Sequence, residues 1–218
     1  MKMKTILLIL MLGAISEIHA GDEKFKQVMI SNIDLVYKAS TIEEYQSAVN
    51  AFDRIAGAEK NRWEPLYYSA FGNVMMALKA TEAGRKDEYL DLALAAVTKA
   101  IALAPLESEL PAMEGFIHMI RVTVDPGTRG PEFSMKANMA YGKALQLNPE
   151  NPRSLALQAQ MEFGTANFFR SSTASACQMN ESALTKFAGS KAENPLAPAW
   201  GESMALGLRV QCEQTAKK

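Results

Sequence analysis

Only two cysteines and two histidines occur in the 218-residue sequence, and this scarcity removes most metal and nucleophile chemistry. A structural zinc site needs about four Cys or His ligands. A serine-type triad needs a histidine beside its nucleophile and a carboxylate to orient it. His118 is the one histidine after residue 20, with Arg121 on the same predicted helix and Asp125 beyond it. That set is too small, and His118 reads as a structural residue. No Cys-x-x-Cys pair is present, which argues against redox catalysis. No glycine-rich loop follows a strand, so there is no nucleotide-binding fingerprint. The 125–132 segment lacks the alternating acidic positions of a calcium loop. Runs of alternating β-branched residues, the mark of strands, are missing as well. The formal net charge is −1, with the two signs interspersed. Neither nucleic acid nor an anionic membrane surface has an electrostatic case as partner. The expectation from these absences is a protein without catalytic residues, metal ligands or cofactors.

Long hydrophobic runs are absent too, apart from one near the start. Residues 1–20 carry Lys2 and Lys4, the apolar run Ile6–Leu12 and the Ile18-His19-Ala20 context. That is the pattern of an export signal cleaved after Ala20. The run is too short to span a bilayer, which needs roughly 20 apolar residues, and Glu17 and His19 interrupt it. The expectation is a mature chain over residues 21–218, periplasmic or secreted, with no integral membrane span after cleavage. That length is ample for one domain with a real core.

What the sequence has in quantity is alanine, leucine, methionine, lysine and glutamate at helical spacing. Residues 23–39 place Phe25, Met29, Ile33 and Val36 on one face. Thr41 with Glu44 forms a capping box for a second helix to about Gly57. A third opens at Trp63, takes Pro65 in its first turn and ends at Gly84. A fourth covers about Lys86 to Leu103, and a fifth starts after Leu106. The 125–131 segment is dense in turn residues and predicts a loop. A sixth helix carries Ala137, Tyr141 and Ala144. A seventh runs from Pro152 to about Phe163, followed by a loop over 164–173. An eighth covers about Ala174 to Ala188. A last helix, about Ala199 to Gln214, turns Trp200, Met204 and Leu208 inward. The 13 methionines fall at such spacings or in the leader and read as core filler.

A repeat underlies this order. Ala137, Tyr141, Ala144 and Pro149 share a spacing with Ala93, Val97, Ala100 and Pro105, and with Ala183, Phe187, Ser190 and Pro195. Ala48, Phe52 and Ile55 fit in part. The leading alanines are 45, 44 and 46 residues apart. A second series, Ala70, Gly115, Ala159 and Ala205, repeats the same three intervals. Packing explains the residue types: antiparallel helices approach closely only where side chains are small, and larger ones fill the flanks. Proline stands at the exit, where the helix must not continue.

At these residues the chain resembles the tetratricopeptide-repeat (TPR) family. The resemblance covers nearly all of residues 21–218. It departs from the family in period, about 45 rather than 34 residues, and in the poorly matched tryptophan, leucine and tyrosine of the first helix. It implies an all-α, right-handed α-solenoid of about four antiparallel helical hairpins plus a C-terminal capping helix. The units fall at about 21–60, 61–105, 106–149 and 150–195, with the cap at 198–214. The extra length is expected between the helices of each hairpin, as in the 125–131 and 164–173 segments. The implied role is a non-catalytic interaction or scaffold module for an unidentified protein or peptide. Its candidate groove is Tyr67, Phe71, Phe116, Met119, Arg153, Gln160 and Phe163, residue types that equally suit the core between hairpins. The family's clamp for a terminal carboxylate is not expected, because Tyr67 and Ala112 stand at its positions. The alternatives are a self-assembling envelope component and an all-helical exported enzyme, for which the titratable groups are too few.

Cys177 and Cys212 are a lone pair in a chain read as exported, which favours a disulfide. They sit at similar distances from the linker joining the eighth and last helices. Antiparallel neighbours would therefore place them at similar height. The other possibility is two buried thiols.

Overall fold

The computed structural model describes residues 22–190 and 194–215. The export signal expected over residues 1–20 lies outside them. Among the described residues there are nine helices and no strand. They are α1 (22–38), α2 (Ile42–Ala58), α3 (Glu64–Lys79), α4 (Ala83–Leu103), α5 (Glu109–Val124), α6 (Pro126–Leu147), α7 (Pro152–Phe168), α8 (Ala174–Gly189) and α9 (Glu202–Thr215). None of these is long and apolar enough to cross a membrane.

Local signals start the helices. Thr41 accepts from the Glu44 N–H, and the Glu44 carboxylate accepts from the N–H groups of Ser40 and Thr41. This capping box satisfies donors that the first turn leaves open. The Ser40 amide, then the Thr41 amide, hold the Glu44 carboxyl below its ordinary value. Asn151 caps α7 in the same way, accepting from Ser154 N–H at 2.9 Å.

Successive helices pack as antiparallel pairs, and the first helices of the pairs also touch, α3 with α5, α5 with α7 and α7 with α9. The result is an all-α, TPR-like solenoid. The repeated small residues make the close approaches. Ala70, Ala93, Ala100, Ala137, Ala144, Ala159 and Ala183 have no exposed surface. At Gly115 the approach is closest: a Cβ there would come within 3.0 Å of three atoms of the Tyr141 ring. Glycine is the residue that lets that ring lie flat against α5.

Three boundaries differ from the sequence expectation. Residues 126–131 are helical, forming the start of α6. Asp125 accepts from Thr128 N–H, Pro126 stands in the first turn, and Pro131 is accommodated inside the helix. Arg129 then ties this turn to α4 through two bonds to Asp87, at 2.6 and 2.9 Å. The Asp125 cap and the proline in the first turn start the helix locally, and the tie to α4 adds to them. Helix α7 continues through Gly164 to Phe168, leaving only 169–173 as loop. Helix α3 stops at Lys79, and Gly84 lies in the first turn of α4. The long period therefore resides chiefly in long helices, 21 residues in α4 and 22 in α6.

Candidate functional site

The first helices α3, α5 and α7 lie side by side and form the inner face of the array. Tyr67 and Phe71 come from α3, and Phe116 and Met119 from α5. Arg153, Gln160 and Phe163 come from α7. A non-helical segment, residues 194–200, lies across this face. Its Leu196 and Pro198 are buried, while Trp200 is half-buried. The Trp200 ring packs on Phe116 at 5.3 Å between centroids and 26°, and on Phe71 at 5.2 Å and 38°. Its Nε1 donates to the Tyr67 hydroxyl at 2.9 Å. Main-chain bonds add to this. Tyr68 donates to the Leu196 carbonyl at 2.9 Å, and Ala199 N–H donates to the Tyr37 hydroxyl at 3.0 Å. Burial raises the pKa of all three tyrosines, so they stay protonated.

An ion pair closes one end of the groove. Arg153 Nε donates to Glu109 Oε2 at 2.7 Å, and Nη2 to Oε1 at 2.8 Å. Both side chains are only 11% exposed. The third guanidinium nitrogen, Nη1, donates to the Trp200 carbonyl at 3.1 Å. Asn151 supports the pair by donating from Nδ2 to Glu109 Oε1 and to Ser108 Oγ, each at 3.0 Å. Glu109 stands in the first turn of α5, where the helix dipole favours a carboxylate. Burial works against the Arg153 cation, and the Glu109 hydrogen bonds and charge override it, leaving its pKa raised. Gly201, at φ +106°, then turns the chain into α9, and a Cβ there would sit 2.9 Å from Arg153 Cγ.

The seven residues singled out from the sequence do not form one surface. Tyr67, Phe71, Phe116 and Arg153 converge on residues 194–200. Met119 is buried, with its Sδ accepting from the Tyr141 hydroxyl at 3.7 Å. Phe163 is buried in a second core with Ala159, Ala176 and Leu208, flanked by Cys177 and Cys212. Gln160 is half-exposed. The cysteines form a disulfide joining α8 to α9, with Cα atoms 5.8 Å apart. It opens on a recess of about 460 Å³ lined by Asn167, Ser171, Ser172, Thr173 and Thr215. The sequence pattern assigns Trp200 to the inner face of the last helix, whereas it precedes α9 and reaches α3 and α5. Pro195 and Pro198 bracketing Leu196 are the available signal: an apolar anchor held in a stretch that cannot be helix.

His118 is 7% exposed and stacked on Phe133. Burial, then the charges of Lys136 and Arg121, lower its pKa to about 4. It is neutral at pH 7, and its Nδ1 is buried without a partner. Among the described residues no group of three or more His, Cys, Asp or Glu is placed to hold a metal ion.

No protein-family model and no curated protein sequence matches the chain. Solved structures do. The chain is similar to the HusA haemophore from Porphyromonas gingivalis, with 25% identity and a TM-score of 0.79. That match covers 89% of this chain and 95% of the haemophore. A thermophilic TPR protein of Thermus thermophilus also matches, with 16% identity, a TM-score of 0.39, and coverage of 89% and 100%. The chain is thus an all-helical, repeat-like protein similar in architecture, over nearly its full length, to that haemophore.

Proposed function

We propose that this protein is a non-catalytic, extracytoplasmic carrier whose cargo is haem or a related tetrapyrrole. One observation carries the reading: the similarity to a haemophore extends over 89% of this chain and 95% of the other at a TM-score of 0.79. An extracytoplasmic location is supported by the Cys177–Cys212 disulfide, since such bonds persist in oxidising compartments, and by the leader pattern of residues 1–20. A tetrapyrrole presents a broad apolar ring face with carboxylates at one edge. Tyr67, Phe71 and Phe116 beside Arg153 offer matching chemistry, aromatic faces and a cation whose Nη1 is not engaged by Glu109. His118 is buried between α5 and α6, so recognition rests on ring and carboxylates rather than on an imidazole–iron bond.

Titrating the mature protein with hemin and with iron-free protoporphyrin, followed by absorbance, tests this. Saturable uptake of both is expected, with affinities within about tenfold of each other, a difference of ~1.4 kcal/mol. No saturable change with either compound would overturn the reading. A second reading has one observation in its favour. The inner face is already covered by a non-helical segment, residues 194–200, held through hydrogen bonds to its main chain. A TPR-like module for a protein or peptide partner would use the same contacts, those of Tyr37, Tyr68 and Arg153.

A further inference from the structure

The face of α3 and α5 and the segment that covers it belong to one chain. Segment 194–200 is held by two apolar anchors, Leu196 and Trp200, and by a few hydrogen bonds. Leu196 is 4% exposed, but Trp200 remains partly open to solvent above the buried rings of Phe71 and Phe116. The indole is therefore the outermost layer of the stack. It occupies the place where a flat ring would lie on these two phenylalanines. Its carbonyl occupies the one Arg153 nitrogen that Glu109 leaves unused.

We propose that residues 194–200 are a built-in competitor, a strap that occupies the cargo site, and that a flat aromatic carboxylic acid binds by displacing Trp200 from Phe71 and Phe116. The inference rests on the cargo reading above. The departing strap leaves two unmet demands, which define the ligand. The faces of Phe71 and Phe116 lose their aromatic cover, and Arg153 Nη1 loses its acceptor. A tetrapyrrole answers the first with its ring and the second with a carboxylate, which accepts a charge-assisted bond stronger than the carbonyl's. The strap returns when cargo leaves, so the aromatic floor stays covered in the empty protein. Exposed apolar patches promote association, and the strap prevents this. Gly201 lies at the point where the strap joins α9 and supplies the backbone freedom for its movement.

Competition of this kind lowers apparent affinity by the fraction of molecules whose site is open. Removing the competitor's anchor therefore tightens binding. The test compares hemin affinity of the full mature protein with that of Trp200→Ala, both shown to be folded by circular dichroism. The expected result is binding tighter by about tenfold in the variant, corresponding to a site open in roughly one molecule in ten. Hydrogen exchange of the wild type supplies an independent readout: hemin should deprotect the Ala199 amide, now bonded to Tyr37. Equal or weaker hemin binding by Trp200→Ala, with Ala199 still protected in the wild-type complex, overturns the strap and leaves the cargo reading standing. Absence of hemin and protoporphyrin binding in both proteins overturns the cargo reading and the strap with it.

Discussion

At the scale of single residues, burial decides what each charged or titratable group does. Glu109 and Arg153 are both nearly buried and paired through two short hydrogen bonds. Removing either partner leaves an uncompensated charge, a change that costs about 3–5 kcal/mol in buried pairs. The pair therefore holds the strap through Trp200 only while both members are present. His118 shows the opposite solution: it remains neutral. Its pKa is lowered to about 4 from 6.5. Between those values the unfolded chain takes up a proton that the folded one refuses. The stabilising contribution is thus fully present above pH 6.5 and is lost as the pH falls towards 4. The shift corresponds to roughly 3 kcal/mol. Denaturant midpoints measured from pH 7 to pH 4.5 should decline more steeply for the wild type than for His118→Leu. Parallel curves would show that His118 titrates normally.

At the scale of helices, the repeat works through its smallest residues. Gly115→Ala places a methyl group against the Tyr141 ring, which is fully buried and anchored to Met119. Overpacking of this kind costs about 1–3 kcal/mol, offset by up to ~1 kcal/mol of better helix propensity. Gly142 and Gly164 lie inside helices, and a Cβ added at either would have no neighbouring atom within 4 Å. Alanine at either should stabilise by about 0.5–1 kcal/mol. Chemical denaturation should therefore show opposite signs for Gly115→Ala and Gly164→Ala, and equal signs would contradict the packing assigned to the repeat. Much of this level is legible in sequence. Ala93, Ala137 and Ala183, and the series from Ala70 to Ala205, reveal the hairpins because packing demands small residues at fixed intervals. The capping box of Thr41 and Glu44 is equally local. The start of α6 is read less easily, because its glycines and prolines resemble a turn while Asp125 capping Thr128 and Pro126 in the first turn begin a helix. The tie from Arg129 to Asp87, 42 residues away, adds a contact with no local trace.

At the scale of the whole molecule, the C-terminal part returns to the middle of the array. Trp200 contacts Phe71 and Phe116, and Ala199 bonds to Tyr37 at a separation of 162 residues. Such contacts leave no periodic trace, which is why the sequence places Trp200 on a helix face and leaves the groove open. The disulfide closes the loop that contains the strap, its two ends 35 positions apart in sequence. By restricting the unfolded chain it contributes about 3–4 kcal/mol, and it keeps α9 docked whether the strap is seated or displaced. The central claim is that the inner face is covered by residues 194–200 when no cargo is bound. Nuclear Overhauser spectra of the cargo-free protein test it most directly. Cross-peaks from the Trp200 indole to the rings of both Phe71 and Phe116 are the result expected. An indole in free solvent, with neither contact observed, would contradict the account.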